Sequence, residues 1–578
     1  MMRTRRSRIR ITFAVVTVFA VVALFIVRLV DIQIVRADEL NAQALEKRAQ
    51  ELDLYGVRGD IVDTNGAALA TSVERYDITA SPKSALGRQN AATLLNDELT
   101  RIAAITHQDP SALLAALSAD PESDFAYLTQ GVTLDVFQAV RDLDIPWVYF
   151  ELRPSRVYPN GELAGNLVGF IGTEGPQAGL ELGEDECLAA TNGTATYEKG
   201  EDGTRLPGSF VTVEEPKDGG TLQLTIDRDL QFYVQQRMAQ TYNELGAEWT
   251  TAVVMRVSDG HLMAVVDYPT VDPNDPSTAR RDALGSRAFS WPYEPGSTMK
   301  ALTAAMLIDS GAADPYSQVV APGRIYLSDG GYIKDAWPHD DIRFTLTGAL
   351  VNSSNTAFSI LSSGLDAETR HEYMLKFGLN AATDVGFQWE SDGLVHPADE
   401  WDERTNLAVT FGQGLTLTSV QLASAYQALG NGGVRLPVRL VEGCEHPDGT
   451  VTVPSTGEPV RVVSEQAARQ TLDMMENVVS VGSNNPLLAI GGYRIAAKSG
   501  TAEVAENGVY GDKTVISFAG LAPAENPQYV VVVTAGIPTS MYNSAAIATT
   551  FHDVMAQTLT QFRVLPSGQP SPSLPLNW

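Results

Sequence analysis

Apolar residues form one unbroken run near the start of the chain and short alternating or helically spaced stretches elsewhere. Ile11 to Val27 carries no charge, follows Arg3, Arg5, Arg6, Arg8 and Arg10, and with Leu29 and Val30 is long enough as a helix to cross a bilayer core about 30 Å thick. Residues 31–50 are polar with helical spacing and read as a stalk. Apolar stretches on both sides of Asn65-Gly66 predict a hairpin within 55–70. Residues 85–150 alternate helical patterns with polar turns, Arg156 to Gly172 reads as a turn and a strand, and 173–220, rich in Gly, Glu and Thr, reads as loops and linkers.

From Thr221 the texture changes. Leu222 to Asp227 alternates as a strand does, and Asp227 can cap a helix through about Leu245. Thr251–Met255 and Leu262–Val266 read as strands paired around Ser258-Asp259-Gly260. Helices are expected to dominate from Ser297 to about Gly430, before strands return at 493–498, 515–520 and 529–534. Strands first and last with helices between predict an α/β sandwich whose sheet is closed by both ends of the segment. The residues from Arg563 are Pro- and Ser-rich and are expected to be disordered. No internal repeat is evident.

At 578 residues the chain exceeds a single typical domain. The division expected is 1–10 a basic cytoplasmic tail, 11–30 a transmembrane helix, 31–220 an elongated α+β pedestal, 221–562 the α/β domain and 563–578 a disordered tail. By the positive-inside rule the arginines stay cytoplasmic and everything after Arg28 lies outside. A cleaved signal peptide is the rival reading, against which the apolar run is long and no small-x-small site follows directly. A net charge of −29 argues against a nucleic-acid partner. The two cysteines, Cys187 and Cys444, stand far apart and indicate neither a disulfide framework nor a zinc site, and no histidine pair has metal-ligand spacing. No cofactor or metal is expected.

The candidate chemistry begins at Glu294-Pro295-Gly296-Ser297-Thr298-Met299-Lys300, a turn leading into an apolar helix. Residues three apart share a helix face, so the Lys300 amine can reach the Ser297 hydroxyl, and a lysine made less basic by burial or neighbouring cations can act as its base. Ser-x-x-Lys alone is weak, because an N-cap serine with a solvated lysine gives the same string. Ser353 and Asn355 interrupt an apolar helical pattern, so they either cap a helix or face a site. Ser483-Asn484-Asn485 matches the same string in a polar loop and is read as a decoy. Lys498-Ser499-Gly500-Thr501 ends a strand with a cation, two hydroxyls and a glycine whose missing Cβ would let a ligand backbone approach. Arg58-Gly59-Asp60 is not read as an adhesion tripeptide.

The ordered set Ser-x-x-Lys, Ser-x-Asn and Lys-Ser-Gly at 297, 353 and 498 resembles the active-site motifs of penicillin-binding proteins and serine β-lactamases. Further blocks, including Arg58–Ala70, Arg156–Pro159, Gly179-Leu180-Glu181 and Phe411–Gly414, are similar to those of class B penicillin-binding proteins over roughly 28–560. Ile333-Lys334-Asp335, Leu346-Thr347-Gly348 and Gly492–Ala496 look most like the division-specific, septal subfamily. Thr64 stands where that family usually has arginine, and Ser499 where threonine is commoner.

The resemblance implies a serine β-lactamase-like transpeptidase fold and a peptidoglycan D,D-transpeptidase of the bacterial cell membrane, working on stem peptides ending in D-Ala-D-Ala and acylated by β-lactams. It implies Ser297 as nucleophile, Lys300 as base and Ser353 as proton relay, with Asn355, Lys498, Ser499, Gly500 and Thr501 binding substrate. The Ser297 and Thr501 N–H groups would form the oxyanion hole. It also implies a partner glycosyltransferase polymerase and other division-complex proteins. An elongation-specific transpeptidase, an anchored β-lactamase and a β-lactam sensor or scaffold without turnover are the alternatives.

Overall fold

The apolar run near the start folds as one helix, Met2–Val30, which passes into a π-helical turn over Asp31–Val35. Its segment Ile9–Val35 is the one helix among the described residues long and apolar enough to cross a membrane. The computed structural model describes residues 2–37, 39, 49–88, 91–172, 174–198, 208–506 and 509–578. Half of the expected stalk, residues 38 and 40–48, lies outside them. Ala49 and Gln50 already belong to a strand, Ala49–Leu54, rather than to a stalk helix.

The chain makes two units. One comprises residues 1–57, 73–155 and 190–218. Here Tyr76–Ala80 pairs antiparallel with Ala126–Val132 on one edge and Val148–Leu152 on the other. The helices Ala91–Thr106 and Pro110–Ser118 close this small sheet, burying Leu95, Leu99, Leu113 and Leu117 with Ile78 and Trp147. Ala49–Leu54 pairs with Gly193–Glu198, which pairs in turn with Val211–Glu214. The stretch expected to be loops thus supplies two strands, while 199–207 lie outside the described residues.

The other unit comprises residues 58–72, 156–189 and 219–578. Its centre is a five-stranded antiparallel sheet of β1 (Trp249–Arg256), β2 (Leu262–Tyr268), β3 (Ala496–Glu506), β4 (Val509–Ala522) and β5 (Tyr529–Gly536), in the order β2-β1-β5-β4-β3. The alternation along β1 explains the sandwich. Val253 and Met255 face a core that includes α2 (Met299–Asp309), α5 (Ser419–Gly430) and α6 (Glu465–Ser480). Ala252 and Val254 face the opposite core, with α1 (Arg228–Leu245) and α7 (Ala545–Gln561). Asp227 caps α1, accepting the N–H groups of Asp229 and Leu230. β3 is an outer strand, so Lys498 to Thr501 lie at the sheet edge.

Three expectations are corrected here. The region between Ser297 and Gly430 is not helical throughout: Gln318–Ala321, Arg324–Tyr326, Tyr332–Lys334 and Ile342–Thr345 form two small antiparallel ladders. Their buried Val319 and Ile333 alternate with exposed neighbours over runs too short to reveal a period. Cys187 and Cys444, 257 residues apart, are joined in a disulfide with a Cα–Cα distance of 6.0 Å. Sequence distance did not foresee that Thr221–Leu224 pairs antiparallel with Val441–Glu445 and so carries Cys444 alongside. Finally, the tail from Arg563 is docked. The carbonyl of Leu576 accepts from Thr345 N at 3.0 Å, that of Pro575 from Thr345 Oγ1 at 2.6 Å, and Asn577 bridges Phe344. A proline-rich tail cannot donate at its prolines, but its carbonyls remain good acceptors.

Candidate active site

Ser297 stands in a 3₁₀ turn, Gly296–Thr298, that runs directly into α2. Gly296 has φ +58°, and a Cβ there would lie 2.7 Å from the Thr501 carbonyl oxygen, so the turn requires glycine. Gly296 N donates to Gly412 O at 2.9 Å, Thr298 Oγ1 to Pro295 O at 2.9 Å, and the buried Tyr426 OH to Thr298 O at 2.8 Å. From Met299 to Leu307 every residue of α2 is buried, which fixes the helix on all sides. The serine is thus held on a rigid element.

Lys300 is fully buried. Its Nζ lies 3.0 Å from Ser297 Oγ, 2.7 Å from Ser353 O, 2.6 Å from Asn355 Oδ1 and 3.3 Å from Ser353 Oγ. The rings of Phe358 and Phe411 each stand 5.9 Å from it. Burial, and then the charge of Lys498, push its pKa well below the ordinary lysine value, with Asp335 opposing them. A neutral amine has two N–H groups and one lone pair. The two carbonyl oxygens can only accept, so they take both N–H groups, and the lone pair is left for the hydroxyls.

Ser353 joins α3 (Leu346–Val351) to α4 (Asn355–Ser362) with φ +57°, a conformation uncommon outside glycine. That kink brings both its carbonyl and its hydroxyl to Lys300. Lys498, 1% exposed, reaches the same hydroxyl from β3 at 3.1 Å and its own neighbour's Ser499 O at 3.1 Å. Burial lowers its pKa to about 7. Ser499 is half-buried and Thr501 exposed. Gly500 is tightly covered: a Cβ would meet Pro295 O at 2.7 Å as well as Ser517 Oγ. Its glycine therefore seats the Ser297 turn on β3 instead of opening space for a ligand.

The structure brings Ser297, Lys300, Ser353, Asn355 and Lys498 into one bonded cluster, with Thr501 against the Gly296 backbone. Asn355 is already half committed, its Oδ1 to Lys300 and one Nδ2–H to Lys334 O at 2.9 Å. Ser483 lies in the turn after α6 and stands apart from this cluster. Sequence reasoning passed over two supports. Glu294 Oε1 accepts from Gly414 N at 2.9 Å and Tyr510 OH at 2.8 Å, clasping the Ser297 turn to the Gly412–Gly414 loop and to β4. The wholly buried Asp335 carboxylate accepts from Ser354 Oγ at 2.6 Å and from the Asn355 and Thr356 N–H groups at 2.5 and 3.0 Å. Two hydroxyls flanking a helix start were the available signal, since such a start favours an anion.

The family model described as "Penicillin binding protein transpeptidase domain" matches residues 250–556, and that described as "Penicillin-binding Protein dimerisation domain" matches 53–224. Penicillin-binding protein PbpB of Mycolicibacterium smegmatis is 33% identical over 592 residues, covering 97% of this chain and 91% of that protein. Peptidoglycan D,D-transpeptidase FtsI of Escherichia coli is 29% identical over 541 residues, covering 93% and 89%. The crystal structure of penicillin-binding protein 3 from Mycobacterium tuberculosis, complexed with ampicillin, superposes with a TM-score of 0.71 at 30% identity, covering 91% of this chain and all of that one.

Proposed function

The chain belongs to the penicillin-binding protein transpeptidase family, and from that premise we propose that it crosslinks peptidoglycan stem peptides at the division septum, with Ser297 as its nucleophile. It is a peptidoglycan D,D-transpeptidase that binds peptidoglycan and β-lactams. The observation that carries the assignment of Ser297 is the hydrogen bonding of Lys300, which spends both N–H groups on carbonyls and leaves its lone pair for the hydroxyl 3.0 Å away.

The reaction then runs in two halves. Ser297 Oγ adds to the carbonyl carbon of the penultimate D-alanine as its proton passes to Lys300 Nζ. The oxyanion is received by the Ser297 and Thr501 N–H groups, one such donor being worth ~3 kcal/mol of barrier. The C–N bond breaks, and the proton reaches the leaving D-alanine amine through Ser353 Oγ, which bonds both lysines. An ester on Ser297 remains. The amine of a neighbouring strand attacks it and gives its proton back through Lys300, so that an amide crosslink forms and the serine is restored. Lys498, Ser499 and Thr501 take the terminal carboxylate, and the free Asn355 amide N–H takes the donor peptide's carbonyl. In a β-lactam the same bond opens, but the leaving amine stays tethered and blocks the acceptor.

The apolar helix is a single-pass membrane anchor. We orient it with the arginines in the cytoplasm, and the Cys187–Cys444 disulfide supports a catalytic unit in an oxidising compartment outside. A polymerase with glycosyltransferase activity and other division proteins are the partners this role requires. Labelling with a fluorescent penicillin tests the chemistry: one label per wild-type chain is expected, and none on Ser297→Ala. Equal labelling of the two would overturn the nucleophile assignment.

A further inference from the structure

Behind the Ser-x-Asn turn lies a second layer that the reaction scheme does not use. His339 Nε2 stands 2.9 Å from Asp335 Oδ2, and His339 Nδ1 stands 2.6 Å from the carbonyl oxygen of Asp340. A carbonyl oxygen only accepts, so Nδ1 carries a proton. The ionised Asp335 carboxylate also only accepts, so Nε2 carries one too. Placing a proton on Asp335 instead would set it against the Ser354 hydroxyl, which already donates to the same Oδ2 at 2.6 Å. The ring satisfies both neighbours only as an imidazolium.

We propose that His339, as an imidazolium, is a positioning residue for acylation, acting through Asp335 to hold Asn355 against Lys300. This rests on the transpeptidase reading above. Asp335 binds the Asn355 N–H at 2.5 Å, and the Asn355 side chain supplies Oδ1 to Lys300 at 2.6 Å. One of the two acceptors that direct the Lys300 lone pair at Ser297 therefore depends on where Asp335 sits. Should His339 lose its Nε2 proton, two lone pairs would face each other across 2.9 Å, and a wholly buried carboxylate would lose a charge-assisted donor.

The charged groups facing the imidazole are Asp335 and Asp340, with the uncharged Trp337 ring 5.4 Å away and the backbone of Gly323 against that of His339. Burial alone would lower the imidazole pKa, but the Asp340 carbonyl and the Asp335 carboxylate outweigh it and raise the value. Loss of the His339 proton therefore lowers acylation on the alkaline side, opposing the rise that comes as Lys300 is freed of its proton.

The test is the acylation rate constant and the affinity for a fluorescent penicillin, resolved separately from pH 6 to 10 on the full chain in detergent. For His339→Ala we expect the rate constant to fall about tenfold, the worth of one charge-assisted hydrogen bond, with affinity little changed and the alkaline fall gone. His339→Gln can donate to Asp335 without titrating, so it should recover most of the neutral-pH rate and still lack the alkaline fall. A folded His339→Ala with the wild-type rate and profile overturns the proposal, as does a His339→Gln that is no better than His339→Ala. Should the alanine variant unfold, a wild-type alkaline fall in His339→Gln overturns it alone. Wild-type chain that takes no label at all would instead remove the transpeptidase reading beneath it.

Discussion

Two buried lysines share one hydroxyl: Ser353 Oγ lies 3.3 Å from Lys300 and 3.1 Å from Lys498. Two ammonium groups this close disfavour each other, and both are already penalised by burial, so the doubly charged state of the pair is disfavoured. The sign for catalysis is clear. With Lys300 as the proposed base, its protonated form cannot take the Ser297 proton, so acylation should be low in acid and rise through the pair's titration, below the ordinary lysine range. Stability moves in the same direction. Between about 7, the value of Lys498, and the ordinary lysine value the unfolded chain binds more protons than the fold, so stability rises with pH across that window. Lys300→Arg places a guanidinium that stays protonated throughout, and acylation should drop by a factor on the order of 10²–10⁴ without recovering at pH 10. Stopped-flow acylation across pH reads this directly, and a wild-type rate in the arginine variant would exclude Lys300 as the base.

At the scale of elements, the Cys187–Cys444 disulfide ties the short helix Asp185–Leu188 to the strand Val441–Glu445, closing a loop of 257 residues. Cross-links over long loops restrict the unfolded chain most, so the double change Cys187→Ser, Cys444→Ser should lower the stability of this unit by about 2–5 kcal/mol. Thermal unfolding of the variant against oxidised wild type checks it, and an unchanged Tm would mean the pairing with Thr221–Leu224 holds the strand unaided. The bond also shows which elements could be read in advance. The hairpin at Asn65-Gly66, the Asp227 cap and the paired strands around Asp259-Gly260 each rest on chemistry within a few residues of themselves, and each formed where expected. What could not be read depends on partners outside the local stretch: the disulfide and the tail on Thr345 join residues more than two hundred apart, and Asp335 meets the start of a helix 20 residues later. The convergence of Ser297, Lys300, Ser353 and Lys498 was legible because three spaced motifs constrain one another. The need for glycine at 500 was misread because the atom that fills its Cβ space, Pro295 O, comes from another element.

For the molecule as a whole, charge separates how it is attached from how it reacts. The chain carries a net charge of −29 despite five arginines in its first ten residues, so everything beyond the apolar helix is strongly acidic. Anionic lipid headgroups repel a surface of this net charge, so the arginine cluster is the favourable electrostatic contribution to membrane binding the charge balance points to. Attachment therefore rests on the helix Met2–Val30, while among the described residues the side-chain partners of Ser297 and Lys300 come from residues 297–355 and, through Ser353, from Lys498. Residues 49–578 expressed alone should stay in solution without detergent, fail to float with vesicles containing phosphatidylserine even at low salt, and take up a fluorescent penicillin at the wild-type rate. The same fragment sent outside the cell should not restore septation to a depleted strain, because a soluble enzyme is not concentrated where strands emerge. Flotation of the fragment with the vesicles would show a second membrane-binding surface. Loss of acylation in the soluble fragment would show that the anchor contributes to the site itself, and either outcome would break the separation argued here.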